Sequence, residues 1–168
     1  MEKDPHTVAR LAAERKEENW RFRSFLKRQS LRRTREIDRL AAQFGREAEA
    51  QMDCTTCGAC CRSCHVPVDE AEVERLAARL NLPVSSFREQ HMDPLDDDEP
   101  ALRAPCVFLE GNRCGIYEDR PEACRGYPYI GGNIASRMIA IIERAETCPI
   151  VFEMLERLKE ASGFHRYR

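Results

Sequence analysis

At 168 residues the chain is long enough for one domain with an appendage, and its formal net charge of −2 gives no global sign of a nucleic-acid or membrane protein. Its longest aliphatic run, residues 139–142, is far shorter than the roughly 20 apolar residues of a spanning helix, and the N-terminal residues lack the apolar stretch of a secretory signal. We therefore expect a cytoplasmic protein, in which a dense set of reduced cysteines serves metal binding or catalysis rather than disulfide formation.

Residues 1–50 differ in composition from the rest of the chain. They carry a net charge of +4, whereas residues 51–168 carry −6 and contain all nine cysteines. The first segment has a single glycine and a single proline, and its apolar residues recur at helical spacing. These residues are Phe22, Phe25, Leu26, Ile37, Leu40, Ala41 and Phe44. We predict a charged N-terminal helical arm over residues 1–50, made of one long helix or two, followed by a cysteine-cluster domain over residues 51–168.

The stretch from Trp20 to Arg35 combines basic and aromatic residues. It holds seven Lys or Arg, no Asp or Glu, and three aromatic residues. One interpretation is a docking face for RNA, an anionic lipid or an acidic protein partner. The other is an amphipathic helix whose basic face is solvated and whose aromatic residues belong to the core. We favour the second, because the aromatic residues have core-like spacing.

The middle of the chain is predicted to contain two helices and a loop. Asp69 followed by Glu72 is typical of a capped helix start, and a shorter helix is predicted to end near His91. Residues 93–100 are predicted to be an acidic loop. Residues 106–117 can form a small hairpin around a Gly-Asn pair.

The end of the chain is predicted to be helical. Residues 135–146 form one predicted helix and residues 149–162 another, with Pro149 in its first turn and Gly163 just past its end. The predicted fold class is therefore mainly α. It combines the charged helical arm with a small, irregular, metal-stapled cysteine-cluster domain that has little or no β structure, a short hairpin at most.

Five of the cysteines fall within eleven residues, in the stretch CTTCGACCRSC from Cys54 to Cys64. Short C-x2-C steps let two thiolates reach one metal from a single tight turn, and Gly58, directly after Cys57, marks the place where the chain must bend. Sulfur is the preferred ligand of both Zn²⁺ and iron–sulfur clusters. The pattern therefore predicts a metal site and leaves the metal open.

Two iron–sulfur templates match parts of this stretch. A register that starts at Cys54 has the C-x2-C-x2-C-x3-C spacing of bacterial ferredoxins, but His65 stands where that pattern has proline. A register that starts at Cys57 has the C-x3-C-x2-C spacing of radical enzymes that cleave S-adenosylmethionine. Those enzymes enclose the cluster in a large barrel, for which this chain has neither the length nor the strands.

A third template uses most of the chain. The run CTTCGACC, the later run CVFLEGNRCGIYEDRPEACRGYPYI and the pair Cys148-Pro149 together resemble the YkgJ-type cysteine cluster family, whose members are described as zinc- or iron-chelating. The resemblance spans roughly Cys54 to Leu158. It implies eight metal ligands, and Cys64 is a candidate additional ligand outside that set. The eight are Cys54, Cys57, Cys60, Cys61, Cys106, Cys114, Cys124 and Cys148.

Eight thiolates can form two four-sulfur sites, one such site plus a four-iron cluster, or one polynuclear site with bridging sulfurs. We expect the adjacent Cys60 and Cys61 to serve different metals or to border a shared site. Such sites are anionic, so we expect Arg62, which follows Cys61, and Arg120 and Arg125, which flank Cys124, to act beside them as cations or backbone clamps. The alternative for Arg120 is a surface salt bridge to Glu118 or Glu122.

The chain has no recognised catalytic motif, and eight matched thiolates would fill the coordination shells. We therefore expect a metal-binding protein rather than an autonomous enzyme, with zinc or an iron–sulfur cluster as the cofactor. The alternatives are an iron–sulfur protein for redox or sensing, or a cluster-dependent modifying enzyme, since a related cysteine cluster occurs in flagellin lysine N-methylases. The partner is open, with a protein or RNA at the basic stretch as candidates.

Overall fold

The chain forms two compact units, described by a computed structural model over residues 1–94 and 99–165. The first unit combines Met1–Asp53 with Pro128–Arg168, and the second is Cys54–Tyr127. These units follow from packing alone, and the domain limits expected from the sequence remain a prediction. Residues 95–98 of the predicted acidic loop lie outside the described residues. Within the described ranges, no helix is both long enough and apolar enough to cross a membrane.

The described elements are mainly helical, with short antiparallel strands, which confirms the predicted fold class. The helices are α1 (Pro5–Glu14), α2 (Lys16–Leu26), α3 (Leu31–Glu49), α4 (Cys54–Cys57), α5 (Ala59–Ser63), α6 (Glu70–Arg79), α7 (Val84–His91), α8 (Glu122–Gly126), α9 (Ile134–Ala145) and α10 (Pro149–Ala161). The strands are β1 (Val66–Pro67), β2 (Met92–Pro94), β3 (Pro100–Leu102), β4 (Leu109–Glu110) and β5 (Arg113–Cys114).

The first unit is helical and contains α1, α2, α3, α9 and α10. Residues 1–50 form three helices, where the sequence predicted one or two. The chain leaves helical geometry at Arg15 (φ −99°, ψ 9°), and Ser30 caps a new helix by accepting a hydrogen bond from the backbone N–H of Arg33. Both C-terminal helices match the predicted limits within one residue.

The core of the first unit lies where α10 packs on α3 and α9. Its largest wholly buried apolar side chains are Phe22, Ile37, Ile134, Met138, Ile150, Met154, Leu155 and Leu158. Lys159 is also wholly buried, and its Nζ lies 2.5 Å from carboxylate oxygens of both Glu18 and Glu156. Its amine also donates to Asn19 Oδ1 at 3.0 Å. The charge of this buried ammonium group is therefore balanced by Glu18 on α2 and by Glu156, one turn earlier on α10.

The second unit combines α4 to α8 with two small sheets. Strand β3 pairs with β1 on one side and β2 on the other, so that Leu102 lies opposite both Val66 and Met92. This sheet was not predicted from the sequence. The β4–β5 hairpin was predicted, and it carries Cys114. Helix α6 begins with the predicted capping box, in which Asp69 and Glu72 exchange side-chain to backbone hydrogen bonds.

The apolar core of the second unit is small. It consists of Val68, Val73, Leu76, Ala77, Phe87, Met92, Leu102 and Phe108. Cys106 and Ile116 pack against its edge while remaining partly exposed. Cys106 therefore lies beside the core, and the other cysteines of this unit lie on or next to its very short helices and strands.

Candidate metal centre

The cysteine-rich turn is shaped by Gly58, which joins α4 to α5. Its φ of +64° lies in the left-handed region, so the bend predicted after Cys57 is confirmed. A Cβ at this position would lie 2.9 Å from Arg62 Nη1 and 3.1 Å from the backbone oxygen of Asn112. Glycine is therefore favoured both by the backbone angle and by the close approach of its neighbours.

Arg62 ties this turn to the β4–β5 hairpin. Its guanidinium donates to the backbone oxygen of Gly111 at 2.7 Å, to Asn112 Oδ1, and at 3.4 Å to the backbone oxygen of Cys57. Helix α4 also packs against strand β5. The contacts bring the helix of Cys54 and Cys57 beside the strand of Cys114. The sequence indicated Arg62 as a cation near the cysteines, but no pattern pointed to Asn112 as its acceptor.

Four cysteines of the second unit share one electrostatic neighbourhood. In addition to burial, the charge of Cys61 raises the pKa of the thiols of Cys106, Cys114 and Cys124. A backbone hydrogen bond of 2.7 Å from Cys106 N–H to the oxygen of Cys61 joins two of their segments directly. Helix α5, the residues before β4, strand β5 and helix α8 thus each contribute one thiol to this neighbourhood.

The four thiols have opposite pKa shifts. Burial is the largest cause that raises the pKa of Cys106, of Cys114 and, to about 12, of Cys124. By contrast, a hydrogen bond from the Cys60 thiol lowers the pKa of Cys61 to about 7, and the positive charge of Arg62 acts in the same direction. At neutral pH Cys61 is therefore about half ionised, whereas the other three thiols retain their protons.

Arg120 and Arg125 lie in the segment that leads into and through α8. The Arg120 guanidinium sits 3.7 Å from the centroid of the Tyr117 ring and donates to the backbone oxygen of the same residue at 2.6 Å. Its charge acts to lower the pKa of both Cys114 and Cys124. Arg125 donates to the backbone oxygens of Glu118 and Arg120. Among the described ion pairs, none joins Arg120 to Glu118 or Glu122.

The remaining cysteines differ in environment. Cys54 is exposed, Cys57 and Cys60 are half-buried, and all three lie on α4 or α5. Cys64 follows α5 in extended conformation, and its backbone N–H donates to the oxygen of Cys60 at 2.8 Å. Cys148 is buried at the N-cap of α10 and belongs to the first unit.

The donor chemistry of the cluster fits a thiophilic metal. All nine cysteines are thiols rather than disulfides, and the group around Cys61 presents sulfur, the donor that Zn²⁺ and iron–sulfur centres prefer, from four separate segments. Within residues 1–94 and 99–165, no three His, Cys, Asp or Glu side chains are placed so that they could hold a metal ion. The cluster therefore fits a thiophilic metal by the type of its donors and by the electrostatic interactions that Cys61 makes with the other three thiols.

A comparison with protein families agrees with this chemistry. The model of the family CxxCxxCC, described as a "putative zinc- or iron-chelating domain", matches residues 53–149, which is more than half of the chain. The matched range contains every cysteine of the sequence. No solved structure matches the chain. The chain belongs to the CxxCxxCC family of zinc- or iron-chelating domains.

Proposed function

We propose that this protein binds zinc or iron through cysteine thiolates, with Cys61, Cys106, Cys114 and Cys124 as the central ligands. The observation that carries the proposal is that these four half-buried thiols come from four separate segments, yet lie close enough for the charge of Cys61 to act on the other three. The other family-matched cysteines complete the proposed ligand set. They are Cys54, Cys57, Cys60 and Cys148.

The chemistry of the four central thiols supports a bound cation. Burial holds protons on three of them, and a divalent metal would reverse that preference because it stabilises thiolates more strongly than burial destabilises them. Binding would then release protons and leave a site with a formal charge near −2 if four thiolates meet one Zn²⁺. Arg62 and Arg120 already act electrostatically on this group, and they would offset part of that charge.

The role we propose for the metal is to hold the second unit together. That unit has a small apolar core, strands of two or three residues, and helices α4, α5 and α8 of only four or five residues. Short elements of this kind do not stabilise themselves, since helix formation requires a costly nucleus. In such domains the free energy of metal binding contributes directly to folding. A cytoplasmic location, expected from the sequence, would keep the thiols reduced.

An iron–sulfur centre is the second candidate, and the Cys60–Cys61 pair favours it. These adjacent thiols hydrogen-bond to each other, and α4, with two further cysteines, packs beside the strand of Cys114. More than four thiols therefore gather in this unit, which exceeds the need of a single zinc ion. A polynuclear or iron–sulfur centre would bind the thiols beyond these four, and such a centre would serve redox or sensing chemistry.

Single cysteine substitutions test the proposal. The full chain, purified without oxygen, is analysed for zinc, iron and acid-labile sulfide, together with its visible spectrum. We expect Cys61→Ser, Cys114→Ser and Cys124→Ser each to lose most of the metal, whereas the matched control Cys64→Ser retains it. Full metal retention in all three variants would refute the central ligand set, and equal loss in Cys64→Ser would favour the ferredoxin-like register.

A further inference from the structure

We propose that a groove of the first unit binds single-stranded nucleic acid. The groove lies between α2 and the residues that follow α10, and it has a volume of about 430 Å³. Its walls include three aromatic rings, two guanidinium groups and an imidazole. These belong to Trp20, Phe25, Phe164, Arg21, Arg28 and His165. This combination of flat rings and cations is the one on which bases stack while phosphates are neutralised.

The rings of the groove are held in fixed positions. Phe22 is wholly buried, and it stacks on Phe25 with ring centroids 5.9 Å apart. Phe164 packs edge-on against Phe22 at 5.2 Å and lies 5.7 Å from Phe25. A buried anchor thus supports two rings that reach the groove. A preformed aromatic wall reduces the ordering cost that a base would otherwise incur on stacking.

Trp20 adds an exposed ring at the same groove. This residue, the single tryptophan of the chain, is 40 % exposed to solvent. The guanidinium carbon of Arg23 lies 5.5 Å from the centroid of its ring. An indole left in water costs apolar solvation that burial would recover. A cation beside an exposed indole favours a ligand that has both an aromatic face and a negative charge. A nucleotide has both.

The charge of the surrounding surface is strongly positive. From residue 20 to residue 35 there are seven basic side chains and no acidic ones. Arg33 is neutralised by Glu36 at 2.6 Å, whereas none of the described ion pairs involves the exposed Lys27, Arg28 or Arg32. Salt limits the reach of a charge to about 8 Å at physiological ionic strength. The excess of basic side chains around the groove therefore governs binding at this surface, despite the net charge of −2 of the whole chain.

The shape of the site favours a nucleic acid over an anionic membrane. A membrane surface is contacted by apolar side chains that protrude from a convex face. Here Phe25 and Phe164 line a recess, into which a flat base can enter but a bilayer cannot. A strand of nucleotides would place successive phosphates along the cations that follow α2. The first sequence interpretation, a docking face, thus gains support from the exposed indole and from the recess.

The experiment uses the full chain and a fluorescein-labelled oligouridine of about 12 nucleotides, a length within the site sizes of single-strand binders. Fluorescence anisotropy measures affinity, and quenching of the Trp20 emission by unlabelled oligouridine reports stacking at the groove. We expect Arg28→Glu and Trp20→Ala each to weaken binding roughly tenfold. The matched control is Arg39→Glu, an exposed charge reversal on α3 outside the groove, which should change affinity less than about twofold.

Three results would overturn the proposal. The first is absence of oligouridine binding at low salt by the wild-type chain. The second is an equal loss of affinity in the Arg28→Glu and Arg39→Glu variants, which would indicate unspecific attraction. The third is stronger Trp20 quenching by vesicles of anionic phosphatidylserine than by oligouridine, which would assign the groove to a lipid surface. Circular dichroism of each variant verifies that the helices remain folded.

Discussion

Replacing Gly58 by alanine tests whether the cysteine turn depends on its close packing against the hairpin. The residue lies at φ +64°, and forcing a side chain into the left-handed region costs about 1–2 kcal/mol. The added Cβ would also meet Arg62 Nη1 at 2.9 Å and the backbone oxygen of Asn112 at 3.1 Å. Arg62 can move aside, but it then loses its hydrogen bonds to the hairpin.

The magnitude follows from these two contributions. A net hydrogen bond contributes about 0.5–1.5 kcal/mol, and the lower end applies because Arg62 is exposed. Two lost bonds therefore add about 1 kcal/mol, and Gly58→Ala should lower the free energy of unfolding by about 2–3 kcal/mol. The matched control is Gly111→Ala, whose φ of +63° is nearly the same but whose Cβ would meet no atom within 4 Å. It should lose about 1–2 kcal/mol from the backbone alone.

Urea denaturation followed by circular dichroism measures both variants after they are prepared with the same supply of metal. Gly58→Ala should be the less stable of the two by about 1 kcal/mol and should retain less metal, since Cys57 and Cys60 flank the turn. Equal destabilisation of the two variants, with unchanged metal content in both, would refute the reasoning that Arg62 clamps the cysteine turn to the hairpin.

Two further predictions concern ion pairs of very different exposure. Lys159→Met should lower the free energy of unfolding by about 3 kcal/mol in thermal or urea denaturation, because it removes the buried cation that pairs with Glu18 and Glu156. This is the lower end for breaking a buried pair, since Arg15 still pairs with Glu156 at 3.0 Å. For the second, the guanidinium of Arg103 lowers the pKa of Asp93 below its ordinary value of 3.8. The stability from this pair is therefore present above pH 3.8 and is lost as the pH falls through the lowered pKa. The stability difference between wild type and Asp93→Asn should shrink in the same acid range.

Each of these predictions has its own control. Arg10→Met removes an exposed partner of Glu14 and should change stability by no more than about 1 kcal/mol. An equally small effect of Lys159→Met would contradict the view that its charge pair is buried. For Asp93, a stability difference that stays constant from neutral pH down to pH 3 would contradict the assignment to its ionised form.

Local signals explain why much of the helical fold could be predicted. The capping box of Asp69 and Glu72, the proline that opens α10, and the left-handed glycine at position 58 each act within a few residues of their own place in the chain. Such features depend on backbone sterics and on nearby hydrogen bonds. These local features can therefore be predicted without knowledge of the tertiary contacts of the chain.

Features that depend on distant partners could not be predicted. Strands β1, β2 and β3 have two or three residues each, too few to show alternation, and β1 joins the sheet only because its residues pair with residues of β3 that are more than thirty positions away. The break at Arg15 has no glycine, proline or side-chain cap to mark it. At the candidate site, spacing indicated cysteine ligands, but only packing shows that the thiols of the hairpin and α8 share a neighbourhood with Cys61.

X-ray absorption at the K-edge of the bound metal tests the central claim most directly. If thiolates of the cluster around Cys61 hold the metal in the full chain, the first shell contains sulfur alone at about 2.3 Å. The sulfur signal should fall in proportion to the metal content when Cys124 is replaced by serine. A first shell dominated by nitrogen or oxygen at about 2.0–2.1 Å would contradict the account, because it would place the metal on residues other than these cysteines.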